Sequence, residues 1–248
     1  LGYYLMLYSA KDTDKIFQMV MGWDVDGVIA ISFSKSNCEK IYQMINKPIV
    51  SIDAYGELDA GQENHVLNIG LDDESGGYLM TKYLLECGYE HIQVCAGRDN
   101  GVDHFRYMGA QRAAKEFAGK KQKVQFTALG MNYAKRKESY AWLIQRKKPK
   151  TALFFLSDLY ALEAISFFSS RGVKIPEEIG IAGYDNISYA EFSVPRLTTI
   201  SQNVEQKASL AVEILMERIN GVEKERENQI ELPVTLIPRK SVQPQDEN

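Results

Sequence analysis

Apolar runs and amphipathic stretches alternate along the whole chain. Apolar, β-prone segments lie at 3–8, 27–32, 49–53, 65–71, 92–96, 124–129, 151–156, 179–184, 198–201 and 232–238. Most are unbroken rather than alternating, the pattern of strands covered on both faces of a parallel sheet. Between them the apolar positions take helical spacing. The stretch 73–87 opens on acidic residues, repeats Leu79, Tyr83 and Leu84, and stops at Gly88. Another, 158–171, follows Ser157 and stops at Gly172, and 204–219 puts Ala208, Ala211, Val212 and Leu215 on one face before Gly221. This alternation predicts α/β layers with right-handed crossovers. No sequence period of roughly 20–50 residues recurs, which argues against a solenoid.

Composition narrows the class without naming it. The 248 residues allow one large or two modest lobes. Hydrophobic content of 45% and charged content of 25% suit an ordinary globular chain. A net charge of −4 argues against a nucleic-acid-binding surface within these residues. Cys38, Cys87 and Cys95 are odd in number and lack CxxC spacing, which predicts reduced thiols in a cytoplasm rather than a disulfide framework. No apolar run approaches the roughly 20 residues that cross a bilayer. The start at Leu1 shows no charged region of a signal peptide. The charged stretch 223–228 and the end, 243–248, read as a solvated loop and a tail.

In open α/β sheets, ligands settle beyond the carboxyl ends of the strands. The residues after the predicted strands include Ser32, Asp53, Asp99, Ser157, Asp158, Asp185 and Asn186, with Arg106 in the helix after Asp99. Carboxylates, amides and a guanidinium suit a polyhydroxylated ligand, and an aromatic such as Tyr133 can cover an apolar sugar face. Blander roles compete. Asp158 is placed to cap a helix, and Asp72 and Asp73 both stand at a helix start, where the dipole favours acids, so capping leads for them as well. Asp185 fits a turn, Arg106 a surface ion pair, and the Gly76–Gly77 pair close helix packing. The basic positions Lys120, Lys121, Lys123, Arg146, Lys147, Lys148 and Lys150 read as a solvated rim. His65, His91 and His104 lack metal-site spacing, and no GxSxG, Walker A or GxGxxG motif is present, so neither metal nor cofactor is expected.

The segment GYDNISYAEFSVPRLTTISQN, residues 183–203, resembles the signature of the lactose repressor (LacI/GalR) family of bacterial transcription regulators. VDGVIAI, DDESGG, YLLECGYEHI, the Arg106-to-Gly109 step, SDLYALEAI, GVKIPEEIGIAGYDNI and the closing LPVTLIPRKS follow in the same order. The resemblance implies an effector-binding core of two Rossmann-like lobes around a cleft, similar in fold to periplasmic sugar-binding proteins. One lobe would comprise 1–96 and 202–234, the other 97–201 and 235–242, with crossings near Ala96–Gly97, Ser201–Gln202 and Val234–Thr235.

Carried over to this chain, the resemblance makes Arg106, Asp185 and Ser157 contacts to effector hydroxyls. Gln202 would line the cleft, and Asp53 would contribute from the other lobe. Ser157 departs from the Asn common in sugar-binding members. The family's first strand and helix, and its basic helix-turn-helix headpiece, are not matched by these residues. The implied function is a ligand-gated regulator, a cytoplasmic homodimer that binds a sugar or sugar derivative and reads operator DNA through its headpiece. A solute-binding protein that feeds a transporter is the alternative, and an enzyme acting on sugar phosphates a further one.

Overall fold

The computed structural model describes residues 2–9, 12–99, 101–117, 122–222 and 224–243. Its elements in chain order begin α1 (Thr13–Gly22), β1 (Val28–Ile31), α2 (Lys35–Ile45), β2 (Ile49–Ile52), β3 (Leu67–Leu71), α3 (Asp73–Glu86) and β4 (His91–Ala96). There follow α4 (Gly101–Glu116), β5 (Lys123–Ala128), α5 (Tyr133–Gln145), β6 (Thr151–Phe155), α6 (Asp158–Ser169) and β7 (Gly180–Ala182). The chain continues with α7 (Ser188–Phe192), β8 (Thr199–Ser201), α8 (Val204–Ile219), β9 (Gln229–Leu232) and β10 (Thr235–Ile237).

These elements form two compact units. The first runs to Leu71 and takes up Glu205–Leu232; the second comprises Asp72–Val204 and the segment from Pro233. The first unit holds a parallel sheet of order β1-β2-β3-β9. Strands β2 and β3 are buried along their length, Ser51 and Asn68 included, as strands covered on both faces are. Ala30, Cys38, Ile41, Ile49 and Val66 form its core, against which Phe17 and Phe33 pack.

In the second unit the parallel sheet has the order β5-β4-β6-β7, and β8 pairs antiparallel with β10. Phe155, Phe167, Phe168, Tyr140, Leu153 and Ile181 lie in its core. Glycines set its closest helix contact. A Cβ on Gly77 would lie 1.8 Å from the Arg106 carbonyl oxygen, and one on Gly109 would lie 1.8 Å from that of Glu74. Helices α3 and α4 therefore touch backbone to backbone, the close-packing role read for the glycine pair.

Three expectations change. Residues 3–8 form no strand and Tyr3, Tyr4, Leu5, Met6, Leu7 and Tyr8 are exposed, because no described strand takes up their backbone hydrogen bonds. The first crossing falls between Leu71 and Asp72 instead of near Ala96–Gly97: β4 pairs with β5 and β6 and so belongs to the second unit. The other two divisions, after Val204 and after Leu232, lie within a few residues of the expected positions. The single closing strand at 232–238 is two strands, β9 and β10, in different sheets. Pro233 separates them, since a proline has no N–H for a ladder.

The three cysteines are free and buried. Of the expected tail at 243–248, residues 244–248 lie outside the described residues, as do Lys120, Lys121 and Glu223. Among the described residues, no helix is long and apolar enough to cross a membrane, and no group of three or more His, Cys, Asp or Glu could hold a metal ion.

Candidate functional site

Within the second unit, β6 and β7 are neighbouring parallel strands, so the residues after their carboxyl ends lie at the same end of the sheet. Ser157 follows β6 and Asp185 follows β7. The Ser157 hydroxyl donates to Asp185 Oδ2 at 3.2 Å, and the Gln202 amide donates to Asp185 Oδ1. Three of the predicted residues thus share one carboxylate, all of them only partly buried.

Asp185 is held in an unusual backbone conformation. Its φ is 124° and that of Asn186 is 56°, values that strain a residue bearing a Cβ by about 1–3 kcal/mol. The surroundings fix the turn. The Asp185 N–H donates to the Ile200 carbonyl at 2.9 Å, and Arg239 donates to Asn186 Oδ1 at 2.8 Å. Beneath it lies Asp158, fully buried, whose carboxylate accepts from the Ile187 N–H at 2.9 Å and from the Thr199 hydroxyl at 2.5 Å. The expected capping role of Asp158 is not the one found. Ser157 occupies the N-cap position of α6 without a side-chain cap bond, and Asp158 is the first helical residue, turned toward the loops.

Arg106 is 7% exposed and is held by neighbours within its own unit. Its Nε donates to Asp73 at 2.8 Å, its Nη1 to the Leu156 carbonyl at 3.0 Å, and its guanidinium lies 3.7 Å from the Tyr184 ring centroid. Asp72 is the residue that caps α3, accepting from the Ser75 N–H, which leaves Asp73 for the arginine. Burial opposes the charge of Arg106, but Asp73, Tyr184 and Asp185 carry its pKa above the ordinary arginine value.

Two acids that were not predicted as ligands belong to the group. Asp103 sits one helical turn before Arg106, 3.8 Å from Nη1, and burial lifts its pKa to about 6 against the pull of Arg106. Asp158 is likewise lifted to about 6 by burial, against its bonds from Thr199 and Ile187. Burial also raises Asp185, opposed by Arg106 and by the Ser157 and Gln202 hydrogen bonds. The i, i+3 spacing of Asp103 and Arg106 was a signal available in the sequence; the burial of Asp158 was not.

Two candidates have other partners. Asp53, in the first unit, has φ 52° and pairs at 2.6 Å with Lys207, which is 4% exposed. The carboxylate thus serves a buried ammonium. Tyr133 opens α5, is 48% exposed, and has Lys137 at 5.1 Å from its ring; no described contact brings it to Asp185. The cluster of Arg106, Asp103, Ser157, Asp185 and Gln202 supplies acceptors and donors in quantity. An ionised carboxylate accepts at up to about four sites, and Asp185 accepts here from the Ser157 and Gln202 side chains, so hydroxyls can add to or replace them.

The profile of the family described as periplasmic binding protein-like domain matches residues 81–242. The repressor named HTH-type transcriptional repressor PurR of Haemophilus influenzae is 35% identical over 255 residues, covering 97% of this chain and 73% of that protein. The chain belongs to the lactose repressor family. It is the ligand-binding core of a transcriptional regulator, and the solute-binding alternative is not favoured. Among solved structures, the LacI family transcriptional regulator of Enterococcus faecium with bound ribose superposes with a TM-score of 0.82 at 25% identity, covering 97% of this chain and 88% of that one. The protein of Alkaliphilus metalliredigens described as a periplasmic binding protein/LacI transcriptional regulator, complexed with D-xylulofuranose, gives 0.75 at 26% identity, covering 93% and 84%. The α/β fold with parallel sheets expected for this regulator core is thus the one found.

Proposed function

We propose that this regulator core binds a sugar or sugar derivative through Arg106, Ser157, Asp185 and Gln202, joined by Asp103. The Ser157–Asp185–Gln202 hydrogen-bonded group beside Arg106 carries the reading, and the ribose of the Enterococcus faecium relative supports it. Asp185 accepts from effector hydroxyls, and the Arg106 guanidinium donates to ring or hydroxyl oxygen. The site works by binding alone and releases its effector unchanged. Tyr133 contributes a secondary contact. The protein acts as a cytoplasmic homodimer whose helix-turn-helix headpieces, the kind named in its relatives, read operator DNA.

Effector binding alters operator affinity. Such coupling is typically about 1–3 kcal/mol and is reciprocal, so operator DNA also shifts effector affinity. The test is a thermal-shift panel of ribose, other sugars, sugar phosphates and nucleosides. A sugar at about 100 times its Kd should stabilise by about 2.7 kcal/mol. Asp185→Ala and Arg106→Ala should remove that shift. A panel in which no sugar stabilises the protein, or in which both variants respond as wild type, refutes the site. Operator affinity that ignores a bound sugar refutes the coupling.

A further inference from the structure

We infer that Asp158 is a positioning residue: its buried carboxylate, anchored by Thr199, holds the turn at 185–187 so that Asp185 presents its side chain to Ser157 and Gln202. This rests on the proposed site, since it assigns the residue that shapes the turn carrying Asp185.

Three observations converge on it. First, Asp158 contacts the turn directly, accepting from the Ile187 N–H at 2.9 Å, while its own N–H donates to the Tyr184 carbonyl at 2.7 Å. The two hydrogen bonds bracket Asp185 and Asn186, the two residues at positive φ. Second, its other oxygen is tied to the Thr199 hydroxyl at 2.5 Å, and that hydroxyl oxygen accepts from the Asn186 N–H at 3.4 Å. Strand β8, helix α6 and the turn are thus joined through one fully buried carboxylate. Third, the chain leaves room for it. A Cβ on Gly183 would lie 2.1 Å from Asp158 Oδ1, so the residue two before Asp185 must lack a side chain for the carboxylate to reach the turn.

A carboxylate serving only as a helix cap would bond the amides of its own helix. This one bonds a different loop and a different strand. Strained backbone persists where its surroundings over-determine it, and Asp158 supplies two of the constraints. What the turn requires is an acceptor for Ile187 and a partner for Thr199. An amide can provide both, because the Thr199 hydroxyl can also accept.

Hydrogen exchange on the full chain, resolved at single amides and made without ligand, tests this. Asp158→Ala should lower protection at Ile187 by about tenfold or more, the size expected for losing a charged acceptor, while amides of α3 and α4 keep theirs. Asp158→Asn should restore Ile187 protection to within about threefold of wild type. Thr199→Val, which keeps volume and leaves Asp158 in place, should lower protection at both Asn186 and Ile187, and serves if the alanine variant does not fold. Loss of protection spread evenly over the second unit, or Ile187 unaffected in Asp158→Ala or Thr199→Val, would overturn the assignment. These readouts need no sugar, so their failure is distinct from the loss of a sugar response that tests the site itself.

Discussion

The glycine contact between α3 and α4 makes the sharpest prediction. Replacing Gly109 by Ala adds a Cβ 1.8 Å from the Glu74 carbonyl oxygen and 2.8 Å from both the Glu74 carbonyl carbon and the Tyr78 nitrogen, where ordinary contact begins near 3.4 Å. All three atoms are backbone, so no rotamer change relieves the clash and the helices must separate. Alanine's better helix propensity returns about 0.5–1 kcal/mol. Overpacking of a tight contact costs typically about 1–3 kcal/mol, and backbone against backbone belongs at or above the upper end. A net loss of about 2 kcal/mol is expected, which lowers Tm by about 4–8 °C in a chain of this size.

The separation also reaches the site. Arg106 lies on α4 and its partner Asp73 on α3, with Gly77 packed on the Arg106 backbone itself. Gly109→Ala should therefore weaken the sugar response as well as stability. Differential scanning calorimetry with and without ribose or the best sugar of the panel measures both. Gly97→Ala is the control, since its Cβ would meet only Met131 Sδ at 3.8 Å; its Tm should stay within about 1–2 °C of wild type, as surface changes within about 0.5 kcal/mol do. If Gly109→Ala melts with wild type, the backbone contact is not what sets the helix separation.

Other predictions are equally concrete. Asp103, raised to about 6 in the folded chain from an ordinary 3.8, binds a proton there that the unfolded chain has lost between about pH 4 and 6. The sign follows: its contribution to stability is present below about pH 4 and is lost as pH rises through 6. Asp103→Asn should thus gain in Tm on wild type as pH rises through this window, and melting curves at pH 4 and pH 8 showing an equal difference would contradict it. Asp53→Asn takes the carboxylate from the 4%-exposed Lys207 and should cost about 1–3 kcal/mol in urea unfolding, less than a fully buried pair because Asp53 is about a third exposed. Adding Lys207→Met should recover most of that loss; no recovery would mean that the pair matters for something other than its buried charge.

Much of the architecture was legible in the chain. The predominantly apolar segments at β2, β3, β4 and β6 and the glycine stops after α3 and α8 mark their elements because burial on two faces and helix termination impose local composition. Less legible was which sheet each strand joins. Strand β4 reads the same whether it ends the first unit or opens the second, and only its pairing with β5 and β6 decides. Residues 3–8 have a strand's composition and no strand's partners, which composition cannot report.

The candidate site divides in the same way. The sequence by itself determined that Ser157 and Asp185 stand after strand ends, that Arg106 follows in a helix, and that Gly76 and Gly77 permit close packing, because these depend on residue type and short spacing. The tertiary structure alone decided that Asp73 serves Arg106 while Asp72 caps the helix, that Asp158 faces Ile187 and Thr199, and that Asp53 answers Lys207 from 154 positions away. Asp72, Asp73 and Asp158 all stand at helix starts and carry the same local signature in different roles. The partner of each is chosen by what the fold buries beside it, since a desolvated charge must find a donor wherever the chain has brought one.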